Sequence, residues 1–129
     1  MWLPIRIDEQ KPEPLYHQVE TQLRGLILSG QLAEGTMLPS IRELASDLKC
    51  SAITVRRVYQ DLENEKLIRT RQGTGTFVAG VDAGSRDEHR LERAKEALGQ
   101  AVDEGLRLGV TYKELEKLFE ETMKERAGE

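Results

Sequence analysis

Residues 40–62 constrain the fold more than any other stretch, because they hold two short amphipathic patterns with almost nothing between them. Ser40 followed by Glu43 is a capping-box signature, in which the hydroxyl accepts from a free backbone N–H at a helix start and the carboxylate returns the bond. Behind it Ile41, Leu44, Ala45 and Leu48 recur three and four apart, so the spacing predicts a short helix with one apolar stripe. Lys49 and Cys50 leave only a tight turn before Ser51, which caps a further helix burying Val55, Val58, Tyr59 and Leu62. Two helices joined so closely read as helix-turn-helix.

The flanks complete a recognisable unit. Pro12 and Pro14 close an extended arm containing Ile5 and Ile7, and Leu15, Val19, Leu23, Leu26 and Ile27 then predict a helix ending near Gly30. Leu67 to Arg71 and Thr76 to Ala79 are β-prone runs around Gln72-Gly73-Thr74-Gly75, where glycines permit a hairpin bend of about four residues. This hairpin is a wing. After a small-residue linker, Gly80 to Gly84, a seam of Leu91, Ala94, Leu98, Ala101, Gly105 and Leu108 predicts a long helix stopped by Gly109. Thr111 with Glu114 repeats the capping box ahead of a final helix carrying Leu115, Leu118, Phe119 and Met123. The expected fold is therefore mainly α with a small β-hairpin: a winged helix-turn-helix over residues 1–80, then a two-helix dimerisation segment over 81–129. Two helices of this size expose more apolar surface than they can bury against each other, which calls for a partner subunit.

A chain of 129 residues has no room for a large enzymatic cleft, and none of its residue patterns implies catalysis or a cofactor. One cysteine, Cys50, forms no internal disulfide, and with His17 and His89 it does not assemble a usual zinc site. No signal peptide opens the chain and no apolar run reaches membrane-spanning length, so the expectation is a cytoplasmic protein with no membrane partner. The net charge of −4 at first argues against nucleic acid. From Val81 onward, however, nine basic residues face thirteen acids, so the whole deficit lies in the tail and residues 1–80 are neutral overall.

Major-groove recognition needs a helix whose outer face is polar or small near its amino end and flanked by cations for phosphates. The third helix places Ala52, Ile53, Arg56, Arg57 and Gln60 outward, with Ser51 and Thr54 at its start and Arg42 beside it on the second helix. Arg69, Arg71 and the wing glycines lie within reach of a phosphate or minor groove. Each has a plainer rival: the arginines as solvated helix and strand charges, Glu120 and Glu121 as a solvated face, and His17 and His89 as ordinary surface residues. Tyr16, Tyr59 and Phe77 fall on apolar stripes or strands and read as core rather than stacking platforms. Trp2 is either a loose terminal residue or an anchor in a partner.

In order along the chain, Gly35, Leu38-Pro39-Ser40, Arg42-Glu43-Leu44-Ala45, Thr54-Val55-Arg56, Leu62-Glu63, Leu67-Ile68 and Gly73-Thr74-Gly75-Thr76-Phe77-Val78 resemble the GntR family. The arm Ile5-Arg6-Ile7-Asp8, the stretch Pro14-Leu15-Tyr16-His17-Gln18 and Pro39-Ser40-Ile41-Arg42 are similar to its YtrA subfamily. The resemblance implies Ser40, Arg42, Thr54, Arg56 and Gly75 at positions that touch operator DNA, and a transporter operon as the regulated target. With the outward residues of the third helix, the expected DNA-binding set is Ser40, Arg42, Ser51, Ala52, Thr54, Arg56, Arg57 and Gly75. One departure stands out: Ala52 and Ile53 occupy positions where many relatives carry polar or basic groups, so their base preference does not transfer. The expected function is a repressor that binds a palindromic, double-stranded operator as a homodimer. Two rivals remain: a winged-helix protein-interaction module, and a regulatory fragment of a member fused to an aminotransferase-like enzyme. The inducing signal is not written in the sequence, since the segment after Gly84 offers little volume for a pocket.

Overall fold

A computed structural model describes residues 2–80 and 83–128, without the side chains of 83–86. The elements run α1 (Leu15–Leu28), β1 (Met37–Leu38), α2 (Ile41–Leu48), α3 (Ala52–Asn64), β2 (Ile68–Arg71), β3 (Gly75–Val78), α4 (Ala83–Arg107) and α5 (Tyr112–Arg126). They fall into two compact units, Met1–Asp87 and Glu88–Glu129. The linker expected over Gly80 to Gly84 is shorter than that, since α4 already begins at Ala83; residues 81 and 82 lie outside the described residues.

The helix-turn-helix forms as its capping residues dictate. Ser40 Oγ accepts from the Glu43 N–H at 3.1 Å, and Glu43 Oε1 accepts from the Ser40 N–H at 3.3 Å. The turn out of α2 is a Schellman closure: Cys50 N–H donates to the Ala45 carbonyl at 3.0 Å and Lys49 N–H to Ser46 at 3.2 Å. No glycine serves it. Lys49 itself takes the left-handed conformation, φ 55°, at a cost of about 1–2 kcal/mol that the flanking packing must offset. Val19, Leu23 and Ile27 of α1 then meet Leu44 of α2 and Val55, Val58 and Leu62 of α3 in a core that also takes in Leu67, Ile68 and Val78. Burial of an aliphatic side chain stabilises by about 1.5–3 kcal/mol, so this cluster supplies the main drive for folding the unit.

The wing is a three-stranded sheet, order β1-β3-β2, rather than a lone hairpin. Met37 pairs with Phe77 and Leu38 with Thr76, while Ile68, Arg69, Thr70 and Arg71 pair with Val78, Phe77, Thr76 and Gly75. The expected runs start and stop one residue differently: Leu67 and Ala79 lie just beyond the ladder, and three residues, not four, separate Arg71 from Gly75. Gly73 sits at φ 78° in that bend, which Thr74 N–H closes by donating to the Arg71 carbonyl at 3.0 Å.

The amino-terminal arm is fastened by two glutamines. Gln22 Nε2 donates to the Arg6 carbonyl at 2.7 Å while its Oε1 accepts from the Arg6 N–H at 2.8 Å. Gln18 does the same to Asp8, at 2.9 and 2.8 Å, and adds a bond to the Glu13 carbonyl. A carboxamide carries a donor and an acceptor like a peptide unit, and four helical residues rise about 6.0 Å, close to the roughly 6.6 Å of two strand residues. The pair therefore replaces a missing strand, and Leu3 and Ile5 are buried against the core as a result.

In the second unit α4 ends in another Schellman closure, with Gly109 at φ 85° and Val110 N–H donating to the Gly105 carbonyl at 3.0 Å. Thr111 and Glu114 form the expected capping box at the start of α5. Gly105 is buried, and a Cβ there would come within 2.6 Å of Leu115 Cδ2. It belongs to the contact between α4 and α5 and not to an outward seam, contrary to expectation. Leu108 likewise lies past the end of α4. Leu91 and Leu98 of α4, and Leu118, Phe119 and Met123 of α5, are exposed.

Candidate nucleic-acid interface

The expected DNA-facing residues gather at the amino ends of α2 and α3 and along the wing. Ser40, Arg42, Ser51, Ala52, Ile53, Arg56 and Arg57 are exposed, and Thr54 and Gly75 are half-buried. Among the described residues neither Arg42 nor Arg56 holds a carboxylate, so both guanidinium forks are available to an anion or a base edge. Arg57 is held differently. Its Cζ lies 3.7 Å from the centroid of the Tyr16 ring, a cation–π contact that ties α3 to α1. Ser51 and Thr54 are also engaged: the Ser51 hydroxyl accepts from the Thr54 N–H at 3.1 Å and shares a 2.8 Å hydrogen bond with the Thr54 hydroxyl.

Several contacts missed by periodicity fix these elements relative to one another. Tyr59, expected as core, is buried and also donates its hydroxyl to the Pro39 carbonyl at 2.7 Å, so α3 anchors the residue that leads into α2. Burial, with the Glu43 charge adding, pushes that phenol well above its ordinary value and keeps it a donor. Glu63 near the end of α3 accepts from the Thr70 N–H at 2.9 Å, satisfying a free group on the edge strand β2 and tying the wing to the helix. A tyrosine on an otherwise aliphatic stripe was the available signal for the first contact; nothing local signalled the second.

Between the start of α2 and the wing lies a groove of about 530 Å³ whose lining includes Ser40, Arg42, Arg71, Gly73 and Gly75. Backbone conformation favours glycine at position 75. Its φ of 144° is one that side chains rarely adopt, while a Cβ would crowd only the flexible end of Met37, 2.7 Å away at Cε. Arg71 extends along β2 with its guanidinium carbon 5.9 Å from the Phe77 ring centroid. The lining of this groove carries two cations, Arg42 and Arg71, and one carboxylate, Glu43.

Charge along α3 runs against the helix dipole. There is no acid in its first turn and no base in its last, whereas Arg56 and Arg57 precede Asp61 and Glu63. The macrodipole acts mainly on the terminal turns, so the unfavourable charges are Asp61 and Glu63 in the last turn, while Arg57 is held by its stack on Tyr16. Another acidic pair meets α1: Arg24 Nη2 lies 2.7 Å from Glu65 Oε2 and 3.1 Å from Glu20 Oε2. Burial, then a hydrogen bond with Asp61, raises the Glu20 carboxyl above its ordinary value.

Among the described residues no cluster of His, Cys, Asp or Glu is placed to hold a metal, and His17 faces Glu13 at 3.2 Å. No helix among them is long and apolar enough to cross a membrane.

Comparison with known proteins fits this geometry. The family model described as bacterial regulatory proteins, gntR family, matches residues 15–78. The HTH-type transcriptional repressor YtrA of Bacillus subtilis is 36% identical over 116 residues, covering 90% of this chain and 87% of the relative. A GntR family transcriptional regulator from Listeria monocytogenes superposes with a TM-score of 0.71 at 27% identity, covering 89% of this chain and 98% of that one. The structure of AraR(DBD) in complex with operator ORX1 matches 58% of this chain and 96% of its own, at 30% identity and a TM-score of 0.52.

Proposed function

Because the chain belongs to the GntR family of bacterial regulatory proteins, whose members regulate transcription, we propose that it is a cytoplasmic repressor that holds a palindromic operator as a homodimer. The observation that carries this reading is the amino half of α3, where Ala52, Ile53, Arg56 and Arg57 stand exposed on a helix fixed from behind by Tyr59 and Tyr16. A helix of this diameter fits a major groove about 12 Å wide, and its amino-terminal residues are the ones that reach base edges. Arg42 and Arg56 read bases; Ser40, Ser51, Thr54, Arg57 and the Gly75 wing set the register on the backbone. Residues 1–80 form the DNA-binding part and 81–129 the dimerisation part.

Dimerisation follows from the exposed leucines of α4 and the apolar face of α5, which a second copy covers. Two recognition helices then sit in successive major grooves, about 34–36 Å apart, and occlude a promoter. The name of the Bacillus relative supports repression over activation.

A protein-interaction role for the winged helix predicts DNA affinity that is weak and indifferent to sequence. Each neutralised phosphate contributes about −0.9 to the slope of log affinity against log salt. A fluorescence-anisotropy titration should therefore give a steep negative slope despite the net charge of −4. A slope near zero would favour the protein-interaction role.

A further inference from the structure

The first turn of α3 is the part of the recognition helix closest to where a base edge would lie, and its side chains are few. The Ser51 and Thr54 hydroxyls are tied to each other at 2.8 Å and to the helix cap, and Ala52 offers a single methyl group close to the backbone. That leaves Ile53. It is 77% exposed, the most exposed of the large apolar residues described. A single exposed aliphatic is ordinary on a protein surface, but this one is β-branched in a helix, where its stiff side chain is disfavoured, and it is too exposed for burial to offset much of that cost. Its position is also particular. Arg56 and Arg57 follow three and four residues later, so all three share one face, with the cations toward the carboxyl end and the aliphatic group at the tip.

An isoleucine has no hydrogen-bonding group, so whatever it reads must be apolar. The major groove of unmodified DNA presents one such group, the 5-methyl of thymine. From this geometry we propose that Ile53 is a specificity-determining residue that packs on a thymine methyl in each half-site, next to the base read by Arg56. The assignment rests on the operator-binding reading above and gives this chain a thymine preference set by contact rather than by hydrogen bonding. Replacing the methyl by hydrogen leaves pairing unchanged and removes only the apolar contact, worth about fourfold in affinity per half-site at the usual value for a buried methyl group.

The test uses the full chain and an operator selected from random duplexes, in which thymines are replaced one position at a time by deoxyuridine. The wild-type protein should lose about fourfold per half-site at one position and little elsewhere. Ile53→Ala should bind the thymine duplex more weakly and no longer distinguish thymine from deoxyuridine at that position, closing a double-mutant cycle with a clear coupling. Ile53→Val should fall between the two. Because the side chain is exposed, an unchanged circular-dichroism spectrum and melting temperature should accompany each variant. Sequence-specific binding by the wild type that is indifferent to deoxyuridine at every position would overturn the Ile53 assignment alone, as would an Ile53→Ala loss equal on both duplexes. Failure to discriminate the selected duplex from a scrambled one would overturn the operator-binding reading and the assignment with it.

Discussion

The two units bury their apolar residues to very different extents. In the first, α1, α2, α3 and the sheet enclose Leu23, Leu44, Leu62, Leu67 and Ile68 completely, and even the arm contributes Leu3 and Ile5. In the second, α4 and α5 meet at Gly105 and Leu115, while Leu98, Leu118 and Phe119 stay about half exposed and Tyr112 and Leu108 more so. A self-contained core makes a rigid platform for α3. Helices with an uncovered apolar stripe gain little stability from their own packing, so under the proposed dimer residues of similar type play different parts: fold in one unit, assembly in the other.

Truncation of the same residue type in the two units tests that difference. Leu62→Ala should lower the opening free energy of the α1 and α3 amides by about 2–5 kcal/mol, by the same amount at every protein concentration, as read by hydrogen exchange. Leu98→Glu should leave those amides protected yet yield monomers in sedimentation at micromolar concentration, and lower operator affinity by about a hundredfold or more through lost avidity. If that variant remains dimeric, the α4 face is not the assembly surface.

A smaller loss isolates the contact that holds α3 to the start of α2. Tyr59→Phe keeps the ring and strands the Pro39 carbonyl, so it should cost about 1–3 kcal/mol in thermal unfolding while α4 and α5 exchange unchanged.

The smallest effect is the pH response of Glu20. Its folded-state pKa is raised by burial and then by Asp61, so the folded state holds the proton more tightly than the unfolded chain does. Its stabilising contribution is complete below the ordinary glutamate range, near pH 4, and is lost as pH rises through the raised value. Glu20→Gln should therefore flatten this decline in melting temperature above pH 4. An unaltered pH profile would mean that the carboxyl titrates normally.

What the sequence made legible is what local chemistry decides. Ser40 with Glu43, Ser51, and Thr111 with Glu114 each cap a helix as their spacing predicts, because a cap involves residues three apart. Strand β1 was not legible: Met37 and Leu38 are too few for a period, and their partners Phe77 and Thr76 lie about forty residues away. The Gln18 and Gln22 clamps were hidden for the same reason, since polar helix residues look solvated until the arm is laid beside them. In the candidate site, periodicity placed Arg42 and Arg56 on the surface correctly. Arg57 shared that pattern and proved to be stacked on Tyr16, a contact between helices that spacing within one helix does not reveal.

The most direct measurement of the central claim is the affinity ratio between a selected operator and a scrambled duplex of the same length at one fixed salt concentration. Specific binding of this class exceeds non-specific binding by about 10³-fold or more, and Arg56→Ala should reduce the ratio by about tenfold, the value of one bidentate base contact, while leaving the scrambled duplex almost unaffected. Equal affinities for the two duplexes, or a ratio that survives both Arg42→Ala and Arg56→Ala unchanged, would contradict the assignment of α3 and its neighbour as the reader of the operator.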